Sequence, residues 1–331
     1  MKKIGLIIPA KSKNFYVEDI LVNISLWSLK PSEVILINTS KKKIFLNQDI
    51  KKNLRKNNVK IKIIDRKNLF PGAARNAGIR INKNDYVVFL DMNTLPYDKN
   101  WLKVNYEYLI KNDLDGVCGQ TYYLAENYNQ KVIRASSYGR VYLRTIPGSI
   151  FSKNTVEKVG YFNSKTRAGE DTEWLKKLDT FKLKIKNAPL PVFYKGLYNV
   201  SFLSTIKKWF RNYFYSSDLP HLSTQKNFYI FTSFLIMFFI VFNWNYNFFD
   251  VEKRDSIHIP HVTKVFLIIT SFVYIIFRGI YLPIKKNIKK NFLFPYNFLV
   301  ITFFSFILDL VKTLTFFLSS VSRILNLNRP K

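Results

Sequence analysis

Two short stretches set carboxylates where they could do chemistry. In YVVFLDMNT, residues 86–94, five apolar or aromatic residues run into Asp91, with Asn93 two positions on. In RAGEDTEWLKKL, residues 167–178, Glu170, Asp171 and Glu173 follow Gly169 at the start of a predicted helix. A carboxylate at a strand end can bind a divalent cation that bridges a diphosphate. A second one, on a separate loop, can take the proton from a hydroxyl nucleophile. That division of labour suits displacement of a nucleoside diphosphate from a sugar. The residues alone leave two plainer alternatives open: Asp91 as a turn cap, and the three acids as partners of a helix dipole.

Positioning such groups takes a scaffold, and the first 200 residues have the pattern of one. KIGLIIP, EVILIN and VKIKIID are short apolar runs separated by helix-length segments such as VEDILVNISLWSL. Continuous apolar strands of this kind predict βαβ units around a sheet that is buried on both faces. In PGAARNAGIRI, Pro71 and Gly72 read as a loop, with Arg75 at the start of the helix behind them. The fold class is α/β. Ligands of open α/β sheets bind beyond the carboxyl ends of the strands, which is where Asp91 stands.

Beyond residue 200 the pattern changes. Residues 228–244 are uncharged, residues 265–284 carry only Arg278, and residues 291–308 are uncharged again. Each is close to the ~20 residues needed to cross a bilayer as a helix. The first two read as spans. The third, followed by LDLVKTLTFFLSSVSRIL, reads either as a span or as an amphipathic helix in the interface. Lys207, Lys208, Arg211 and Lys226 precede the first span, and Lys285, Lys286, Lys289 and Lys290 follow the second. The positive-inside rule then places the α/β part on the cytoplasmic face of a multi-pass protein of the inner (cytoplasmic) membrane. Three regions are expected: 1–200, a basic and aromatic juxtamembrane segment 201–226, and a membrane region 227–331.

The net charge of +30 suits anionic partners, among them phosphorylated small molecules and lipid surfaces. No nucleic-acid motif accompanies it, so nucleic acid is not expected as a partner. Cys118 is the only cysteine, which excludes an intrachain disulfide and suits a reducing compartment. The opening MKKIGLIIPAKSK has too short an apolar stretch for a signal peptide and reads as a first strand.

The ordered set LIIPAKSK, EVILINTS, FPGAARNAGI, FLDMNT and AGEDTEW, followed by hydrophobic segments, resembles family 2 glycosyltransferases of the GT-A fold over roughly residues 3 to 215. The resemblance implies a Rossmann-like, mostly parallel sheet and an inverting, nucleotide-sugar-dependent enzyme. It places Pro9 and the residues after it, with Asn38, at the nucleotide. Arg75 and Asn76 fall in the donor-site motif, Asp91 and Asn93 at the metal motif, Asp171 at the catalytic base, and Glu170 beside it to orient Asp171 or the acceptor. A Mg2+ or Mn2+ cofactor is implied, with metal affinity lowered because Asn93 replaces a carboxylate.

Asn38, an amide where the family commonly has an aspartate, leaves the nucleotide open. The Gln-x-x-Arg-Trp motif of processive members is missing, so transfer of a single sugar is expected. The acceptor is expected to be lipid-linked or a cell-surface glycan, in polysaccharide biosynthesis of the cell envelope. Two alternatives remain: a polyprenyl phosphate acceptor, whose ionised oxygen needs no base, and a catalytically inactive module that binds a nucleotide sugar or serves as a scaffold.

Overall fold

The computed structural model describes residues 2–10, 16–197, 201–217, 219–242 and 261–325. The chain forms two units: Met1–Ala125 with Val141–Val200, and Glu126–Arg140 with Ser201–Lys331.

Among the described residues the first unit is built on nine strands: β1 (Ile4–Ala10), β2 (Glu33–Asn38), β3 (Lys60–Asp65), β4 (Tyr86–Phe89), β5 (Thr94–Leu95), β6 (Gly116–Tyr123), β7 (Leu143–Ser152), β8 (Ile185–Asn187) and β9 (Val192–Tyr194). Their order is β3-β2-β1-β4-β7-β6-β9-β5, with β8 also on β6. The half formed by β3, β2, β1 and β4 is parallel. Ile and Val dominate these strands because a branched side chain packs well on a pleated surface.

Alternation along the strands divides the core between two faces. Leu6, Ile8, Val34, Leu36 and Val88 pack with Trp27 and Trp101. Ile7, Ile35, Val87 and Phe89 pack on the other side with Phe151 and Trp174. Helices supply both covers: α1 (Tyr16–Leu26), α2 (Gln48–Lys56), α3 (Pro71–Ile81), α4 (Trp101–Lys111), with α6 (Lys153–Val159) and α7 (Glu170–Thr180) later in the chain. At the edge, β3 exposes Lys60, Lys62 and Asp65 in part or in full, which discourages pairing with another chain.

Two local features differ from the sequence reading. Pro71 and Gly72 do not form a loop. They open α3, with Pro71 in the first turn, where its missing N–H costs nothing. The sheet is also mixed, because β7 runs antiparallel to both β4 and β6. Antiparallel neighbours need no crossover on the sheet, and the connection from β6 to β7 instead carries α5 (Tyr128–Ser136), which packs in the second unit.

The second unit is helical. Besides α5 it contains α8 (Phe202–Ser216), α9 (Ser223–Val241), α10 (His261–Tyr274) and α11 (Asn297–Ile324). A π-helical stretch, Ile275–Tyr281, continues α10. Among the described residues three helices, Ser223–Val241, Thr263–Lys285 and Asn297–Ile324, are long and apolar enough to cross a membrane. The last one joins the third apolar run and LDLVKTLTFFLSSVSRIL into a single helix of 28 residues. Residues 243–260 and 326–331 lie outside the described residues.

Phe151 sits at full burial between Phe89 and Trp174, with ring centroids 6.4 and 5.1 Å away. Truncating it leaves a cavity against a strand that joins both halves of the sheet. Phe151→Ala is expected to cost about 3–5 kcal/mol, read as a lower thermal midpoint, whereas Lys131→Ala on exposed surface leaves the midpoint unchanged.

Candidate active site

The parallel strands β1, β2, β3 and β4 end together, and the residues beyond them make the site. After β4 the chain turns at Asp91. Its N–H donates to Thr94 Oγ1 at 2.9 Å, and Thr94 Oγ1 donates back to the Asp91 carbonyl at 2.8 Å. The turn is thereby fixed, and the carboxylate is directed by its partner, Arg75. Arg75 Nη2 donates to Asp91 Oδ1 at 3.0 Å, and its Nη1 donates to Glu170 Oε1 at 2.8 Å. One guanidinium on α3 thus joins the end of β4 to the first residue of α7.

Burial decides what this arrangement does. The Arg75 side chain is 3% exposed and that of Glu170 6%, but that of Asp91 is 37% exposed. Burial works against the Arg75 charge, yet Asp91, Glu170 and Asp171 more than offset it and raise its pKa above the ordinary arginine value. The Phe162 ring lies beneath the guanidinium at 5.5 Å. Burial pushes the Glu170 carboxyl up to about 7, opposed by Arg75 and helped by Asp171. Glu170 is therefore a held, inward group, while Asp91 keeps Oδ2 without a hydrogen bond among the described residues.

Gly169, at φ 84° in the left-handed region, precedes α7 and aims its first turn. Asp171 is partly exposed, and its Oδ1 accepts the Thr172 N–H at 2.8 Å. Its Oδ2 carries no hydrogen bond among the described residues, which leaves an oxygen available to a substrate hydroxyl. Glu173 is engaged elsewhere, since its Oε2 accepts from Asn163 Nδ2 at 3.0 Å. Gly72 makes the approach of α3 to this loop possible, because a Cβ there would overlap the Asn163 carbonyl oxygen.

The other residues singled out from sequence divide into cleft and scaffold. Pro9 is partly exposed and pairs with Ile37 near the end of β1, while residues 11–15, just beyond it, lie outside the described residues. Asn76 is buried, exchanging hydrogen bonds with the backbone of Phe162 at 2.8 and 2.9 Å, so it holds the loop before α7. Asn38 is buried too. Its Nδ2 donates to the Lys42 carbonyl and to Asp65 Oδ1, and its Oδ1 accepts from the Ser40 N–H and hydroxyl. That amide is committed to its own loop. Asn93 is partly exposed in the Asp91 turn, and its carbonyl accepts the Lys195 N–H at 2.8 Å.

Sequence reasoning missed two residues. Asp65 ends β3 opposite Asn38 and places a carboxylate one strand away from where the family motif led us to look. The signal was present, since VKIKIID ends on an acid just as YVVFL runs into Asp91. Lys195, bonded through its backbone to the Asp91 turn, carries its ammonium 5.6 Å from the Tyr97 ring centroid. Nothing in VFYKG marked it, because its neighbour is distant in sequence.

Among the described residues no three His, Cys, Asp or Glu side chains converge as a metal site. Asp91 Oδ2 could offer one protein ligand, with the Asn93 amide beside it in the same turn. Such a donor set fits a cation that arrives with a diphosphate, whose oxygens fill the remaining positions.

Comparison with known proteins decides the family. The model of glycosyl transferase family 2 matches residues 6–178. The chain belongs to glycosyltransferase family 2. No curated protein sequence matches this family member. Solved structures similar to it include the mannosyltransferase PcManGT from Pyrobaculum calidifontis in complex with GDP-Man and Mn2+, at 11% identity and TM-score 0.48, covering 99% of this chain and 88% of that one. TarS of S. aureus is similar at 15% identity and TM-score 0.44, with 76% of this glycosyltransferase covered and 46% of TarS. The chain thus spans less than half of that TarS structure. TarS 1-349 in complex with UDP-GlcNAc is similar at 13% identity and TM-score 0.45, with coverage of 98% and 92%.

Glu170 makes the glycosyltransferase unit sensitive to pH. Its pKa is higher folded, about 7, than the ordinary 4.5, so the folded state holds the proton more tightly. Stability falls as pH rises through that window and no longer changes on this account above it. The thermal midpoint of Glu170→Gln, followed from pH 4.5 to 7, is expected to lose this downward slope.

Proposed function

We propose that this family 2 enzyme is an inverting glycosyltransferase, anchored in the membrane, that moves one sugar from a nucleotide-sugar donor to an acceptor hydroxyl. The observation that carries this reading is the double ion pair of Arg75, which holds Asp91 and Glu170 together and leaves Asp91 Oδ2 and the Asp171 carboxylate available. In the reaction the acceptor oxygen attacks the anomeric carbon while Asp171 takes its proton. The bond from that carbon to the diphosphate oxygen breaks on the opposite side, and the electron pair leaves with the nucleoside diphosphate. Asp91 with the Asn93 amide would hold a Mg2+ or Mn2+ ion on the diphosphate. When bound, that ion offsets the charge of the leaving group.

Glu170 and Arg75 act as positioning residues, and Pro9 borders the nucleotide. Asp65, steadied by Asn38, is placed to receive the donor N–H groups of a base. The mannosyltransferase and TarS structures hold a guanosine and a uridine nucleotide sugar respectively, and either class suits these residues. The apolar helices and the lysines around them support a multi-pass protein with the catalytic unit on the cytoplasmic face. The regions 1–200, 201–226 and 227–331 then act as catalytic, juxtamembrane and membrane parts. An acceptor carried on a lipid, or a glycan growing at that surface, shares the plane of the anchor and is met at high effective concentration.

The test is kinetic. Asp171→Asn keeps the shape and removes the base, so kcat is expected to fall by about 10²–10⁴-fold with the donor KM little changed. An Asp171→Asn enzyme with unaltered kcat would contradict this assignment and favour an acceptor that is already ionised, such as a polyprenyl phosphate.

A further inference from the structure

The third apolar helix is packed unlike the other two. Of its most apolar 18-residue window 39% is buried, against 6% for each of the others. Its buried face mixes Ile301, Phe304, Leu308 and Phe316 with polar residues of the helix. Thr302, Ser305, Lys312, Thr315 and Ser319 are inward, while Leu299, Phe303, Phe306, Leu310 and Phe317 are exposed. Part of this face is covered by α8, and part by Gly279 and Tyr229 of the other two apolar helices. Phe202 meets Phe304 at 4.4 Å and Tyr213 meets Phe316 at 5.5 Å between ring centroids, so the two helices run side by side in the same direction. Lys312 Nζ lies 4.9 Å from the centre of Trp209, also on α8. Since α8 carries Lys207, Lys208 and Arg211, it belongs at a water-facing surface, and its neighbour shares that level. At the start of α11, Asn297 Oδ1 accepts from Tyr128 of α5 at 2.8 Å. Both ends of α5 continue into strands of the catalytic unit, which keeps it on that unit's side of a membrane.

The contacts of α11 with the other two apolar helices fix its direction. Those helices form a hairpin whose far end is joined by Thr263 Oγ1 donating to the Phe239 carbonyl at 3.2 Å. The side-chain contacts between α11 and the hairpin run instead from its middle, at Tyr274, toward its near end. Tyr229 Oη and Tyr274 Oη each donate to Asp309 at 2.9 Å, and Arg278 Nε pairs with Asp309 Oδ2 at 2.8 Å. Gly279 packs against Phe298 and Thr302, Tyr274 against Phe306, and Tyr229 against Phe316. From Phe298 to Phe316, α11 advances roughly 27 Å. Over that length its side chains bond or stack with Tyr229 of α9 and with the short stretch Tyr274–Gly279. A helix aligned with the hairpin would climb along its whole length, whereas the side-chain contacts of this one stay in the half away from Thr263.

We propose that α11 lies in the plane of the membrane interface and does not cross it. The exposed Phe and Leu side chains seat in the acyl layer of the bilayer that the hairpin crosses, and the buried face is turned to α8 and the hairpin. The partner of this surface is a lipid bilayer with anionic headgroups, matched to Lys207, Lys208 and Arg211 of α8. A crossing α11 would set Asp309 and Lys312 near the centre of the hydrocarbon, where such groups are expensive, whereas in the plane they sit at its edge. The chain then crosses twice, and its C-terminal end returns to the side of the catalytic unit. This rests on the membrane anchoring proposed above.

The test uses the full chain in native membranes, with Cys118→Ser as a cysteine-free background and one new cysteine at a time: Lys41→Cys, Ser256→Cys or Leu325→Cys. A membrane-impermeant maleimide is applied to sealed vesicles of known orientation. Lys41→Cys and Leu325→Cys are expected to label from the same side, and Ser256→Cys from the other. Labelling of Leu325→Cys together with Ser256→Cys would overturn the in-plane helix while leaving the anchor intact. Release of the protein by alkaline carbonate would overturn the anchor itself, and the in-plane helix with it.

Discussion

A buried guanidinium is the constraint on which the catalytic unit depends. Arg75 has given up water almost completely, and burying a charge is tolerable only when it is paired and hydrogen-bonded. Its two partners come from elements distant in sequence, the turn after β4 and the first turn of α7. Satisfying Arg75 therefore assembles the site. Glu170 is drawn inward until burial lifts its carboxyl to about 7, Asp171 is left on the open side of the same helical turn, and Asp91 is held by one oxygen only. Removing one partner would leave charge in a dry place, which costs more than the pair contributes.

The surrounding scaffold serves that geometry at close range. Gly72 lets α3 approach the Asn163 carbonyl and the stem of Glu170, and Asn76, next to Arg75, clamps the Phe162 backbone. Phe162 in turn lies under Arg75 and stacks on Trp174 of α7 at 5.0 Å. The GAARNAG segment thus acts through packing and side-chain hydrogen bonds on one face of a helix. Its polar residues are support for the carboxylates, and Arg75 is the member that touches them.

Much of this was legible in the sequence, because it depends on local pattern. The runs ending at Asn38, Asp65 and Leu90 are continuous and β-branched, so the strands and their common end could be read. The acids behind Gly169 marked the start of α7. What could not be read depends on distant partners. Asn38 has the type of a base-reading amide, but Asp65 and the Ser40 turn consume it. Pro71 resembles a loop residue because a first helical turn and a loop tolerate the same proline. The antiparallel placement of β7 was hidden because the segment before it, 126–140, packs in the helical unit and leaves no signal of where the next strand returns. In that unit, the two readings of the third apolar segment have the same composition, so the sequence left both open.

The measurement that tests the account most directly is donor binding by the full chain in mild detergent. Isothermal titration of nucleoside diphosphates and their sugars, with and without Mn2+, would be compared for the native protein and Asp91→Ala. The account predicts that one nucleotide binds, that Mn2+ tightens it, and that Asp91→Ala abolishes the gain from Mn2+ while the protein stays folded. Binding with the same affinity and the same response to Mn2+ in Asp91→Ala would contradict it, because the carboxylate held by Arg75 would then have no part in receiving the diphosphate.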